Sequence, residues 1–378
     1  MNIFINGRFL GQPATGVQRY ALETLLALDA VLASSNGAEA KFTLLVPRGV
    51  TPPSLRAIGF ASVGRLSGHA WEQLELPFAA RAGWLLSFTP TGPIVKRRQT
   101  VTIHDAAVYA MPFAFSREFR SWYKLVLPVL AQRCPMLMTV SEFSRGELCR
   151  YLGVNRDNVR VSGEGWQHVS RLIPDEGVLS RHSLTKQRFV LAVSSHTPQK
   201  NFKLIADALP MLAGSGFDVV IAGRIDERIF GHFDAASLGR VKLLGYVSDS
   251  ELCALYQSAG VFVYPSRYEG FGIPPIEAMA LGCPVLASNA ASIPEVCGDA
   301  AAYFDPDDAA GLAELIQRVM LNDDERASLI ARGKRRMLDH SWEAAARAHL
   351  GLLEELHATA SGAARGERGA MLAAAAKM

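Results

Sequence analysis

Short runs of Val, Ile, Leu and Phe recur along the chain, and segments with apolar residues three and four apart separate them. Runs of this length, apolar at nearly every position, predict strands buried on both faces; the spacing between them predicts amphipathic helices. The strands expected in the first half are Asn2–Asn6, Phe42–Val46, Leu85–Phe88, Val101–His104, Leu137–Val140 and Val159–Ser162. Those in the second are Phe189–Val193, Val219–Ala222, Val241–Leu244, Val261–Tyr264, Val285–Ala287 and Ala302–Phe304. Strand and helix in alternation define an α/β protein with parallel sheets.

Pro174-Asp175-Glu176-Gly177 and the polar stretch to Arg188 interrupt the alternation at its middle. The expected organisation is therefore two doubly wound, Rossmann-like domains, residues 1–175 and 186–340, facing each other across a cleft. A C-terminal segment, residues 341–378, begins with the helix-start pattern Ser341-Trp342-Glu343 and is expected to pack back on the first domain. From Ser361 the chain is rich in Ala and Gly, and poor order is expected there. Ligands of such sheets bind beyond the carboxyl ends of the strands, so two facing sheets suit a two-substrate enzyme.

Composition narrows the class. With 378 residues the chain exceeds one ordinary core, and 49% hydrophobic with 20% charged residues is the balance of a folded chain. A net charge of +3 does not point to a dedicated nucleic-acid binder, and leaves local basic clusters free to bind phosphate or anionic lipid. The five cysteines, Cys134, Cys149, Cys253, Cys283 and Cys297, show no metal spacing and read as reduced thiols of a cytoplasmic protein. The N-terminus has no signal-peptide pattern, and no apolar run is long enough to span a bilayer.

Three motif look-alikes fail on chemistry. Gly11-Gln12-Pro13-Ala14-Thr15-Gly16 has the glycines of a P-loop, but Val17-Gln18 replace its Lys-Ser/Thr. A glycine turn at Gly16 that admits a ligand, or a plain strand-to-helix turn, remains. Gly270-Phe271-Gly272 begins a dinucleotide fingerprint that Pro275 breaks. Asp305-Pro306-Asp307 reads as a turn rather than a metal pair, and no metal is assigned.

The informative run is Ser266 to Ala280, with Glu269, Gly270, Phe271, Gly272, Ile273, Pro274, Pro275 and Glu277. The prolines suit the first turn of a helix, whose N-terminus would offer free N–H groups and partial positive charge to a diphosphate. Gly270 and Gly272 would let a ligand approach the backbone. Glu269 falls in the preceding loop and Glu277 in the expected first helical turn. Acids there are also favoured by the helix dipole alone.

The run Glu269 to Val285, with seven residues between its two acids, resembles the E-x7-E motif of the family 4 glycosyltransferases, retaining enzymes of GT-B architecture. The resemblance extends over most of the chain and is weakest in the first hundred residues and the tail. Pro198-Gln199-Lys200-Asn201 resembles the family's P-R-K-N motif, with Gln199 in place of Arg; this implies that Lys200 holds the donor diphosphate. Thr102-Ile103-His104-Asp105 resembles the family's histidine turn and implies that His104 faces the donor sugar. Asp105 is then expected to orient His104 or cap the next helix. Thr139 to Ser144 and Glu164-Gly165-Trp166 also fit family segments, with no chemical role assigned.

The resemblance implies a catalytic set of Glu269, His104 and Lys200. Donor binding falls to Glu277, Arg224, Gly16, Tyr246, Val247 and the Gly270–Pro274 run. No cofactor or metal is expected. The implied partners are a nucleotide sugar, first GDP-mannose and then UDP-sugars, and a saccharide or polyprenyl-linked acceptor. The implied function is hexosyl transfer in lipopolysaccharide, capsule or exopolysaccharide assembly. Two alternatives stay open: a nucleotide-sugar epimerase of the same fold, and a non-catalytic partner subunit. Phe113, Phe115, Arg117, Phe119, Arg120, Trp122, Tyr123 and Lys124 interleave aromatic and basic residues. That pattern suits either peripheral contact with the anionic inner face of the membrane or an ordinary amphipathic helix.

Overall fold

The computed structural model describes residues 1–35, 40–194, 197–223 and 240–375. Thirteen described strands build parallel sheets. In the first half β1 (Asn2–Asn6), β2 (Lys41–Pro47), β3 (Gly59–Val63), β4 (Trp84–Ser87) and β5 (Gln99–Val101) pair in the order β3-β2-β1-β4-β5. A parallel bridge from Thr102 to Met138 continues this sheet to the pair β6 (Leu137–Thr139) and β7 (Val159–Val161). In the second half β8 (Phe189–Ser194), β9 (Asp218–Gly223), β10 (Val241–Gly245), β11 (Val261–Tyr264), β12 (Val285–Ser288) and β13 (Ala301–Phe304) run β10-β9-β8-β11-β12-β13. Both orders reverse direction beside their first strand, between β1 and β4 and between β8 and β11. That is the topological switch point, where the connections leave to opposite faces and open a crevice beyond the strand ends.

Burial follows the pattern of the sequence. β4, β11 and β12 are buried at every position, as two-sided strands must be. The edge strands β3 and β10 have no fully buried position, and the apolar pattern does not predict β3. The second half holds one apolar cluster on each face of its sheet, around Phe202, Leu312 and Ile316 and around Tyr256, Phe262 and Met279.

The halves meet in a shared core. Phe271, Ile273, Ile276 and Val296 of the second half join Ile5, Tyr20, Leu25 and Met138 of the first. Trp342, Ala346, Leu352 and Leu353 complete that cluster from the last helix, Trp342–Ala375, which lies against the helix Gly16–Ser34. This last helix is drawn to Ala375. Alanine has the highest helical propensity of any residue, so the Ala-rich stretch propagates the helix already begun.

Polar contacts add to the apolar seam. The Glu295 carboxylate accepts from the backbone N–H groups of Glu142 (2.7 Å) and Phe143 (2.9 Å). It thereby caps the helix Glu142–Leu152 from across the seam. Ser141 and Ser144 both donate their hydroxyls to the Gly270 carbonyl, at 2.5 and 3.0 Å. The Tyr268 hydroxyl reaches Glu147 Oε2 at 3.1 Å, and Arg19 pairs with Asp249.

Candidate active site

The site lies where the two switch points face each other. Lys200 follows β8 in the turn Pro198–Lys200, and Glu269 lies in the loop after β11. Lys200 Nζ donates to Glu269 Oε1 at 2.7 Å and to the Tyr264 hydroxyl at 3.2 Å, and stands 5.2 Å from the Tyr264 ring centroid. Two residues 69 apart in sequence are thus joined in a largely buried ion pair. Ser292 holds the loop by donating to the carbonyls of Glu269 (3.0 Å) and Phe271 (2.9 Å). Burial and the negative charge of Glu269 push the Tyr264 hydroxyl well above its ordinary range, so it stays protonated.

The helix after this loop, Ile273–Ala280, starts with Gly272 at φ 104° as its N-cap. That angle belongs to the left-handed region, where glycine carries no Cβ penalty. Two expectations change here. Glu277 lies past the first turn, because the helix begins at Ile273. Pro274 and Pro275 also carry no N–H, so the donors at this end are Gly272 and Ile273, and Pro274 is not one of them. The side chains of Phe271 and Ile273 are packed in the shared core, leaving only their backbone to a ligand. Gly270 serves the seam between the halves: a Cβ there would lie 2.5 Å from the His104 carbonyl oxygen.

Glu277 points away from the Lys200 pair. Its Oε1 accepts from His168 Nε2 at 2.7 Å. The Trp342 indole N–H donates to His168 Nδ1 at 3.1 Å. An indole nitrogen can only donate, so Nδ1 carries no proton and Nε2–H points at the carboxylate. Sequence reasoning does not find His168 or this chain of bonds. Arg19, Asp249, Cys253 and Tyr256 line a small recess beside Glu277.

His104 closes the opposite wall. Its Nε2 donates to the Phe88 carbonyl at 3.1 Å, and its Nδ1 faces Glu164 Oε1 at 3.5 Å. Both ring nitrogens are therefore directed at protein atoms. Burial raises the Glu164 carboxyl above its ordinary range, with the negative charges of Glu269 and Glu277 adding to the shift against a lowering from His104. Asp105 Oδ1 accepts from the Ala107 N–H at 2.8 Å, so it caps the turn that follows. Burial raises its carboxyl too. A cavity of about 530 Å3 opens in front of His104 and Asp105, at the strand ends of the first sheet. Arg8, Thr89, Pro90 and Tyr123 form part of its wall, and Gln199 faces it from the second half.

Of the remaining expected residues, Gly16 lies between Thr15 and Val17, which both line this cavity. Gly16 opens the first helix, with nothing within 4 Å of where a Cβ would stand. Tyr246 is 84% exposed beyond the end of β10, and Val247 is half-buried against the second-half core. Arg224 lies outside the described residues. Asp305 and Asp307 form a turn, Asp305 Oδ1 accepting from the Asp307 N–H at 2.8 Å, and Asp307 pairs with Arg267. The five cysteines are all unbonded, and burial pushes the Cys134 thiol up to about 12.

Two facing Rossmann-like sheets, with a lysine–glutamate pair at one switch point and a cavity at the other, define a ligand-binding crevice with room for two substrates. The chain belongs to the family described as Glycosyl transferases group 1, whose profile matches residues 180–336, and it is a glycosyltransferase. It is 31% identical over 258 residues to the O-antigen chain mannosyltransferase B of Escherichia coli, an alignment covering 65% of this chain and 67% of that one. It is 27% identical over 335 residues to the O-antigen chain mannosyltransferase RfbU of Salmonella typhimurium, covering 84% and 90%. Among solved structures, the sucrose-phosphate synthase of Thermosynechococcus elongatus shares the fold with a TM-score of 0.72 at 18% identity, over 95% of this chain and all of the other.

Proposed function

We propose that this protein is a retaining mannosyltransferase that moves mannose from GDP-mannose to a saccharide or lipid-linked saccharide in cell-surface polysaccharide assembly. The observation that carries the chemistry is the Lys200–Glu269 pair, set at the strand ends of the second sheet beside Gln199, which lines a cavity at the strand ends of the first. The printed names of the two bacterial relatives support mannose and O-antigen chains.

Glycosyl transfer runs through an oxocarbenium-like state while negative charge builds on the departing diphosphate. Lys200 and the N–H groups of Gly272 and Ile273 would meet that charge, and Arg224 is a further candidate for it. Glu269, released from Lys200 by the incoming diphosphate, positions the sugar. Glu277, anchored through one oxygen by His168, offers the other to the ribose diol. His104, its nitrogens engaged, shapes the sugar pocket with its ring. The acceptor attacks from the face that the diphosphate leaves, and the phosphate oxygen takes the acceptor proton. Lys200 supplies the cation, so the reaction needs no metal. Phe113, Phe119 and Leu125, exposed along one segment of the first half, support peripheral membrane contact during transfer to a lipid-linked acceptor. Among the described residues no helix is long and apolar enough to cross a membrane.

The test is a thermal-shift panel of GDP, UDP, ADP and CMP, followed by transfer from the selected nucleotide sugar with and without EDTA. GDP alone should raise the melting temperature. Glu269→Ala and Lys200→Ala should each lower transfer by about 10²–10³-fold in folded protein. Turnover near wild type in both variants would remove the assignment, and a shift with UDP alone would replace the donor.

A further inference from the structure

We infer that Glu164 is a positioning residue for transfer that acts through His104: the two share one proton more than a neutral imidazole and a carboxylate hold, and that proton fixes the ring beside the sugar pocket. The pocket rests on the reading of the protein as a glycosyltransferase, whereas the proton count rests on geometry.

Three strand ends of the first half supply the parts. Phe88 follows β4, His104 follows β5 and the Thr102 bridge, and Glu164 follows β7. His104 is 6% exposed and Glu164 5%. Nε2 of the ring lies 3.1 Å from the Phe88 carbonyl oxygen, and Nδ1 lies 3.5 Å from Glu164 Oε1. The Tyr20 ring meets the imidazole edge-on at a centroid distance of 4.6 Å. Tyr20 is itself held through its hydroxyl by Ser162 and His349, so the imidazole is wedged as well as bonded.

Both partners of the ring are acceptors. A neutral imidazole has a single N–H and can serve Phe88 or the Glu164 carboxylate, not both. The other nitrogen would turn its lone pair on an oxygen in a buried site, where an unmet polar group is costly. One added proton removes the conflict. It sits on Nδ1 facing a carboxylate, or on Glu164 facing a bare Nδ1. The dyad carries no net charge in either form, and the titration belongs to the two groups together.

The surroundings favour keeping that proton. The other titratable groups around the dyad are Tyr20 on the first helix, His349 on the last, Asp105 in the turn after His104, and Glu269 and Glu277 from the second half. Burial pushes Tyr20 up and His349 down, so both stay uncharged, and it raises Asp105 as well. Glu269 and Glu277 oppose a further negative charge on Glu164, with Lys200 offsetting part of the first. Loss of the proton would free one side of the ring and place a negative charge behind a pocket that takes an anionic donor. Transfer should therefore fall on the alkaline side.

The experiment counts protons first. On the full chain without nucleotide, NMR of 15N-labelled histidine and 13C-labelled carboxyl groups at about pH 6.5 reads the His104 ring and the Glu164 carboxyl. His104→Gln and Glu164→Gln identify the two signals by their loss. A doubly protonated ring with an ionised carboxyl is expected, or a singly protonated ring with a protonated carboxyl. A singly protonated ring beside an ionised carboxyl, or two added protons, would overturn the dyad. The kcat/KM for transfer is then followed against pH. Wild type should fall about ten-fold per pH unit above the midpoint at which NMR sees the proton leave. The Glu164→Gln amide donates an N–H to Nδ1 and leaves Nε2–H on Phe88, so that limb should disappear. Glu164→Ala leaves Nδ1 unpaired and should lower kcat/KM near neutral pH more than Glu164→Gln does. An alkaline limb unchanged in Glu164→Gln, or a wild-type profile that does not follow the NMR midpoint, would overturn the positioning role. The NMR arm uses no nucleotide sugar, so its failure is distinct from failure of the donor to bind or react.

Discussion

At the scale of single residues, the site is a set of charged groups each held by a partner far away in sequence. Glu277 is the clearest case. Its anchor, His168, lies 109 residues earlier, and the indole that sets the tautomer of His168 lies 174 residues beyond it. A hydrogen bond to a charged group contributes about 1.5–3 kcal/mol. His168→Phe should therefore weaken GDP binding by about ten-fold or more, read by titration calorimetry. An unchanged affinity would mean that Glu277 is fixed by other contacts. The run holding Glu269 and Glu277 is legible in the sequence because its glycines and prolines announce a loop-to-helix turn; the roles of both acids, and the choice of Lys200, come only from the resemblance to the family's motifs. His168 is not legible, since nothing near Gln167-His168 in sequence hints at a carboxylate. The role of the Glu164 carboxyl behind His104 is hidden for the same reason, although Glu164-Gly165-Trp166 fits a family segment.

At the scale of elements, the loop and helix from Tyr268 to Ala280 do two jobs. They hold Glu269 against Lys200, and they fasten one half to the other through Gly270. The His104 carbonyl is backbone, so it cannot swing aside from an added methyl 2.5 Å away. Gly270→Ala should cost about 1–3 kcal/mol of stability and lower transfer by at least about ten-fold through misalignment, measured by denaturant unfolding and kinetics. Gly146→Ala, in a helix with nothing within 4 Å of the added methyl, is the matched control and should be neutral or slightly stabilising. Equal effects of the two would show that Gly270 is not a close-packing position. The elements themselves are largely legible, because buried parallel strands leave continuous apolar runs. β3 is hidden for the opposite reason: an edge strand needs only partial burial, and Gly59-Phe60-Ala61-Ser62-Val63 carries little apolar signal.

At the scale of the whole molecule, the last helix leaves the second half and inserts His349 into the first. His349 Nε2 lies 2.9 Å from the Tyr20 hydroxyl, which in turn lies 2.8 Å from Ser162 Oγ. Burial, aided by the charge of His104, pushes the His349 imidazole down to about 3. The unfolded chain takes up this proton near pH 6.5 and the folded one does not. The contribution to stability is thus present above pH 6.5 and lost as pH falls towards 3. Glu164, raised by burial, has the opposite sign above its unfolded value of 4.5, so the comparison must be between variants at each pH. Wild type should lose more melting temperature than His349→Gln between pH 6.5 and 4.5. Parallel curves would show that the imidazole is not held neutral.

The sequence by itself determined the alternation of strand and helix, the two sheets and the run bearing Glu269 and Glu277, because each is written in local spacing: apolar period, glycine, proline, acid. Tertiary structure alone decided how the halves join. It places Lys200 against Glu269, turns both nitrogens of His104 inward and moors Glu277 to His168. Those arrangements depend on which strand ends face each other across the cleft, a consequence of strand order and of the returning helix that no local spacing encodes.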